Sequence, residues 1–314
     1  MDPVTHTLVG VDLANGFTRR RLGSGTVPIL ALASNLPDID GIVHLTGDPT
    51  AILMRRTFGH SLFLLPFWAL ALAVAVRRID PRLGLPARFG LCLAGALVHL
   101  FFDLVNSFGV VLLWPFSDAR PELSIIFIID FALTGLLALP LCLALAPRLR
   151  PRLVAMTRLS LAAVVLYIAF CAANHDRAAR LLADEAAAGG ERSDFEYVFP
   201  EPLGPHRWRG VTREGGLYRV YLIHSMTGEV RLVREERTAP DDPRVAEARR
   251  SPLGRRLEHF FKAPVWSVEG PETDPRVHVY DLRFRSILVD TGPVFAYTLP
   301  GLSPPPRSGS RPAP

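Results

Sequence analysis

An apolar run with two ionisable residues inside it constrains this chain more than any other feature. The stretch "LVHLFFDLVNSFG", Leu97 to Gly109, carries His99 and Asp103 four positions apart, and residues so spaced share a helical face. A lone aspartate near the centre of a membrane span costs about 2.5–3.5 kcal/mol on insertion scales unless a partner, a cation or water meets it. The chain must therefore fold so that something polar reaches these two side chains.

The neighbouring stretches make a membrane the natural solvent. The 314-residue chain is 49% hydrophobic with mean hydropathy +0.24, and its apolar residues concentrate before about Asn174. Four segments approach or exceed the ~20 apolar residues that cross a ~30 Å hydrocarbon core: Phe58–Val76, Phe89–Trp114, Leu123–Ala146 and Ala155–Ala173. From about Asp184 the chain turns polar and rich in Pro and Arg. There "LYRVYLIHSMTGEVRLVRE" alternates on both sides of Thr227-Gly228, and "VHVYDLRFRSILVD" alternates again. The expected fold class is a mainly α membrane domain, with about four transmembrane helices plus N-terminal helices, followed by a small β-rich soluble domain. The expected boundaries are 1–176 for the membrane domain, 177–300 for the β-rich domain and 301–314 for a disordered Pro/Ser-rich tail.

The net charge of +5 comes almost entirely from arginine, Lys262 being the only lysine. The arginines flank apolar segments instead of forming one basic face interleaved with aromatics, which argues against nucleic acid as a partner. Arg77, Arg78, Arg82 and Arg88 separate the first two spans, and Arg148, Arg150, Arg152 and Arg158 the last two, whereas only Arg120 lies between the second and third. The positive-inside rule then makes the two Arg-rich loops cytoplasmic and places the C-terminal domain outside, in a bacterial periplasm, with the protein multi-pass in the inner membrane. Arg19 to Arg21 and Arg55-Arg56 run against this count. Cys92, Cys142 and Cys171 lie in apolar runs without C-x-x-C spacing and read as small hydrophobes. No removable signal peptide is expected.

Four His/Asp constellations fall in the first 130 residues. Asp2 and His6 in "DPVTH" share a helix face, Asp38 and Asp40 alternate after Pro37 in "NLPDIDG", His60 opens a span in "RRTFGHS", and His99 with Asp103 forms the fourth. Asp130 in "SIIFIIDFALTG" adds a carboxylate that can face Asp103 from the next span. Each has a structural reading too, as a helix cap for Asp2, a turn cap for Asp38 or Asp40, or an interfacial histidine for His60. His44 reads as a loop histidine and Asp12 as an isolated acid on an amphipathic helix. Taken together, imidazole and carboxylate are the ligand set of a divalent metal such as zinc, manganese or iron, and a cation would remove the cost of burying Asp103.

In order and spacing, "MDPVTHTLVG", "LPDID", His60-Ser61, "HLFFDLVNSFGVVLLWPFSD" and "FIID" together resemble the bacterial membrane-bound metal-dependent hydrolases of the YdjM and YbcI type over about residues 1–140. The resemblance implies His6, Asp38, Asp40, His60, His99 and Asp103 as metal ligands, zinc or manganese as the metal, and Asp2 and Asp130 as supports. It departs from this chain at one place, where the family's H-R-G-x-T-H-S becomes Arg55-Arg56-Thr57-Phe58-Gly59-His60-Ser61. Arg55 or Arg56 is then expected to hold an anionic substrate group such as phosphate, with Asp40 or Asp103 as general base for hydrolysis of a lipid-like or phosphorylated substrate drawn from the membrane lipid. The competing readings are an intramembrane His/Asp path for protons or cations, and a non-catalytic envelope scaffold.

Overall fold

The computed structural model describes residues 1–190, 192–271, 275–289 and 292–300, and the expected tail of residues 301–314 lies outside them. Asp2 starts the fold. Its carboxylate accepts from the backbone N–H groups of Val4 and Thr5, both at 3.0 Å, and Pro3 takes the first position of α1, Pro3–Leu13. A π-helical turn, Ala14–Thr18, leads into the single turn α2, Arg19–Leu22, and Gly23 at φ 99° redirects the chain into α3, Thr26–Ala33.

Two glycines decide how closely the helices lie. A Cβ on Gly10 would stand 2.4 Å from the Leu30 carbonyl oxygen, and one on Gly95 of α5, Leu85–Leu104, would stand 2.7 Å from Ala33 Cβ. Helix α3 is thus gripped on one side by α1 and on the other by α5, the close approach that small residues allow between membrane helices. His6 lies four residues before Gly10 and His99 four after Gly95, so these contacts carry both histidines to one place.

Fewer helices can cross a membrane than the four apolar runs suggest. Among the described residues two are long and apolar enough: α5, and the 39-residue stretch Arg150–Ala188 containing α7, Leu153–Ala188. A third span requires Ala51–His60 and Leu65–Arg78, which contains α4, Leu65–Ala75, to act as one despite a 78° bend, so Phe58–Val76 is broken. Phe89–Trp114 ends as a helix at Leu104, where Asn106 to Gly109 (φ 82° at Gly109) turn the chain. Leu123–Ala146 shrinks to α6, Phe131–Leu143, whose 13 residues begin where Asp130 caps them and reach only about 20 Å. Ala155–Ala173 grows instead, because "NHDRAARLLADEAAA" consists largely of helix formers. Pro140 inside α6 cannot donate to the Leu136 carbonyl, and the Ser160 hydroxyl of α7 does so at 2.7 Å.

By contacts the chain divides into two compact units, Met1–Arg177 with Phe199–Arg207, and Ala178–Val198 with the chain from Trp208 onward. One sheet has the order β1, Phe195–Pro200; β2, Arg207–Glu214; β3, Leu217–His224; β4, Glu229–Arg237. After α8, Pro243–Arg250, and α9, Pro252–Phe260, comes an antiparallel sheet of β5, Pro264–Glu269, β6, Arg276–Asp281, and β7, Ala296–Pro300. The alternation around Thr227-Gly228 does form an antiparallel pair, β3 with β4, Gly228 turning at φ 81°. "VHVYDLRFRSILVD" yields only β6, since Asp281 accepts from the Arg283 N–H and ends the strand in a 3-10 turn. Leu182, Val198, Trp208, Tyr221 and Ile223 form a core in the second unit.

Gly10→Ala tests the α1–α3 grip. Alanine gains up to about 1 kcal/mol of helix propensity but meets backbone that cannot give way, at about 1–3 kcal/mol. The variant melts below wild type in detergent, and an unchanged or raised melting temperature refutes the close contact.

Candidate metal centre

His99 and Asp103 project from α5 and are 0% and 1% exposed. His60 reaches them because of Gly59: a Cβ there would lie 2.1 Å from the Pro37 carbonyl oxygen, so only glycine lets the 3-10 turn Phe58–His60 lie against the Pro37–Asp40 segment. That contact sets His60 Nδ1 2.9 Å from Asp40 Oδ2, which also accepts from the Thr57 N–H at 2.9 Å. On the opposite side His99 Nδ1 lies 2.7 Å from the Ser34 carbonyl oxygen.

These two hydrogen bonds dictate the tautomers. A carbonyl only accepts, so His99 carries its proton on Nδ1, and the Asp40 carboxylate draws the His60 proton to Nδ1 in the same way. Both Nε2 lone pairs therefore point inward, where the two atoms stand 3.2 Å apart, with Asp103 Oδ2 3.1 Å from His60 Nε2 and 3.4 Å from His99 Nε2. Lone pairs and a carboxylate so close repel unless a positive charge, a proton or a metal ion, sits among them. Asp38, His60, His99 and Asp103 each offer one ligand atom, and these atoms all lie within 4.8 Å of one another. Two imidazole nitrogens and two carboxylate oxygens match zinc, manganese or iron better than magnesium or calcium.

The other two expected ligands back this group. Asp40 orients His60 as a carboxylate behind a ligating histidine does. His6 stacks on His99 with ring centroids 3.7 Å apart and places Nε2 3.2 Å from Asp103 Oδ1. Burial pushes its pKa down to about 3, so the ring is neutral. The Met1 amine also meets Asp103. Asp2 and Asp130 lie outside the group and act as helix caps: Asp130 accepts from the Leu133 N–H and the Tyr167 hydroxyl, each at 2.8 Å, and does not face Asp103. The two caps are linked through Thr5, whose hydroxyl lies 2.7 Å from Asp2 Oδ2 and 2.8 Å from the Thr134 hydroxyl.

Arg55 and Arg56 both turn toward the site's acids. Arg56, at φ 57°, is buried with Nε 2.7 Å and Nη2 3.0 Å from the two oxygens of Asp103, donates to Asn106 Oδ1 at 2.8 Å and lies over the Phe108 ring. Arg55, 27% exposed, donates to Asp38 Oδ1 at 2.7 Å, and its Nε is 3.6 Å from Asp40 Oδ1. Three carboxylates gathered out of water require this counter-charge. Arg120 holds the loop by donating to the carbonyls of Arg55 and Gly109. The Ser34 carbonyl and the Arg56–Asn106 link had no sequence signal, the first being backbone and the second spanning fifty positions. His44 is exposed but sits in the 3-10 helix Leu36–Thr46 and not on a loop, and Asp12 is fully buried.

A helical half holding this buried His/Asp group belongs to a known class, for residues 1–178 match the YdjM inner membrane protein family and the chain is a member of it. Among curated proteins it is similar to one of Bacillus subtilis (strain 168) described as uncharacterized protein YfhP, 27% identical over 138 residues, which cover 41% of this chain and 42% of that protein. The chain thus matches less than half the length of that relative. No solved structure matches.

Arg56→Gln leaves Asp103 with part of its counter-charge gone. Removing one partner of a buried pair costs about 3–5 kcal/mol, so the metal-free variant melts well below wild type, and zinc narrows the difference. Equal melting of the two metal-free proteins refutes the charge-pair role.

Proposed function

We propose that this inner-membrane protein is a metal-dependent hydrolase. The observation that supports it best is the inward convergence of the His60 and His99 Nε2 lone pairs on Asp103, with both Nδ1 atoms occupied behind them. His60, His99, Asp103 and Asp38 would hold one divalent metal, zinc or manganese by donor type. Such a cation supplies Lewis acidity and lowers the pKa of water from 15.7 to about 7.

The chain's own residues do the rest. Asp40 holds the His60 ring in its ligating tautomer, and its Oδ1, buried without a hydrogen bond, is the carboxylate oxygen available to take a proton from water. One divalent cation and two arginines would outweigh the three carboxylates by one charge, before the Met1 amine on Asp103 is counted. Arg55 is the more exposed of the arginines, so an anionic group such as a phosphate ester, from a lipid or a lipid-like molecule, enters against it. In the same reading the chain crosses the inner membrane more than once, and the arginines at 148–152, just before α7, put the sheet-rich unit that follows α7 on the periplasmic side.

The test is metal analysis with activity. Purified wild type retains about one zinc or manganese per chain and hydrolyses members of a phosphate-ester panel, and chelation abolishes both. His60→Ala and His99→Ala lose the metal, while Asp40→Asn binds it about 10–100-fold more weakly. Wild type that takes up no metal, or hydrolysis indifferent to chelation, overturns the proposal. Because binding displaces protons from the histidines, metal affinity falls as pH drops.

A further inference from the structure

Asp12 is a buried acid that the metal centre does not use. Its side chain is 0% exposed and neither carboxylate oxygen has a hydrogen-bond partner. The Thr157 hydroxyl in α7 is in the same condition, 0% exposed and unpartnered. A polar group taken out of water without a partner costs several kcal/mol, and a carboxylate more.

The packing of α1 against α6 and α7 sets these groups along one seam. Thr5, Val9 and Asp12 fall on one face of α1 at helical spacing, and Gly16 follows in the π-helical turn. At one end of that face Thr5 meets Thr134 of α6, hydroxyl to hydroxyl at 2.8 Å. At the other end a Cβ on Gly16 would be 3.6 Å from Thr157 Cγ2, and the Arg158 Nε donates to the Gly16 carbonyl at 2.9 Å. Asp12 lies between, one turn before Gly16, in the seam where α6 carries Pro140 and α7 carries Thr157 and Ser160. The carbonyl of Leu136 that Pro140 leaves free, now held by Ser160, belongs to the same seam. The π-helical turn begins two residues beyond Asp12, and such turns recur at functional sites.

We propose that this seam is a second cation site, in which Asp12 and Thr157 take a monovalent alkali cation such as sodium. The donors are all oxygen, which excludes a zinc-type site, and a single carboxylate neutralises one positive charge and would leave a divalent ion half uncompensated. Neighbouring ionisable groups are otherwise engaged: Arg158 on the Gly16 carbonyl and over the Phe17 ring, and Arg19 on Asn15 at 3.0 Å. Helix α6 contributes no charged side chain, and its Cys142 is exposed.

Burial alone raises the Asp12 carboxyl from its ordinary 3.8 to about 7. Its folded pKa being above its unfolded one, the native state binds more protons, and sodium-free protein loses stability as pH rises between those values. Sodium competes with that proton, so it stabilises above pH 7 and not below.

The experiment melts the purified full chain in detergent, with chelator present to keep the metal centre empty and choline replacing sodium at constant ionic strength, about two pH units either side of 7. In wild type, sodium raises the melting temperature at the higher pH only. Asp12→Asn shows no sodium response and melts at least as high as sodium-free wild type there, whereas Thr157→Val keeps the response but needs several-fold more sodium. Wild type that melts alike in sodium and choline, as a bare proton or a water at Asp12 would give, overturns the site. So does an Asp12→Asn variant that still responds, and if that variant does not fold, an unchanged sodium response in Thr157→Val does the same.

Discussion

The Asp103 carboxylate governs the helical half of this molecule. It is buried to 1% exposure, and the groups that make this tolerable come from three separate stretches of chain: His6 from α1, Arg56 and His60 from the turns before α4, His99 and Asn106 from in or just beyond α5. A charge in a membrane-like interior is stable only when fully surrounded. Helix packing that failed to bring these groups together would leave it uncompensated. The glycine contacts at Gly10, Gly59 and Gly95 are therefore as much a part of the site as the ligands, because each allows a backbone approach that carries one histidine inward.

The same logic separates the roles within the site. Histidines whose Nδ1 protons are spoken for, by Ser34 and Asp40, leave Nε2 as the acceptor, and both face the Asp103 carboxylate. Arginines beside those carboxylates supply positive charge when no metal does, Arg56 buried on Asp103 and Arg55 at the more open edge on Asp38. The membership in the YdjM family and the inner-membrane character agree with a site of this kind on apolar helices, while the chemistry it performs is the proposal set out above.

Much of the site could be read from residues in order. His99 and Asp103 stood out because ionisable side chains in apolar surroundings demand a partner, and their helical spacing placed them on one face; His60 stood out at the start of an apolar run, and Asp38 in the turn after Pro37. The sheet-rich C-terminal part was legible from period-2 alternation around Thr227-Gly228. The span count was not, since composition cannot see that residues 105–130 loop and that Asp130 starts a helix of only 13 residues. The cap role of Asp2 was legible, whereas Asp130, expected to face Asp103, caps α6 instead. The complete burial of Asp12 was not legible either, because it depends on what packs against α1 and not on the helix's own sequence.

The sequence by itself determined which residues had to be reconciled with an apolar medium, because the cost of burying His and Asp is local and independent of topology. Tertiary structure decided which of them converge, which merely cap helices, and where each imidazole proton resides. Those outcomes depend on close approaches at three glycines, where a Cβ would stand 2.1–2.7 Å from its neighbour, and on a backbone carbonyl at Ser34, and no side-chain pattern encodes either.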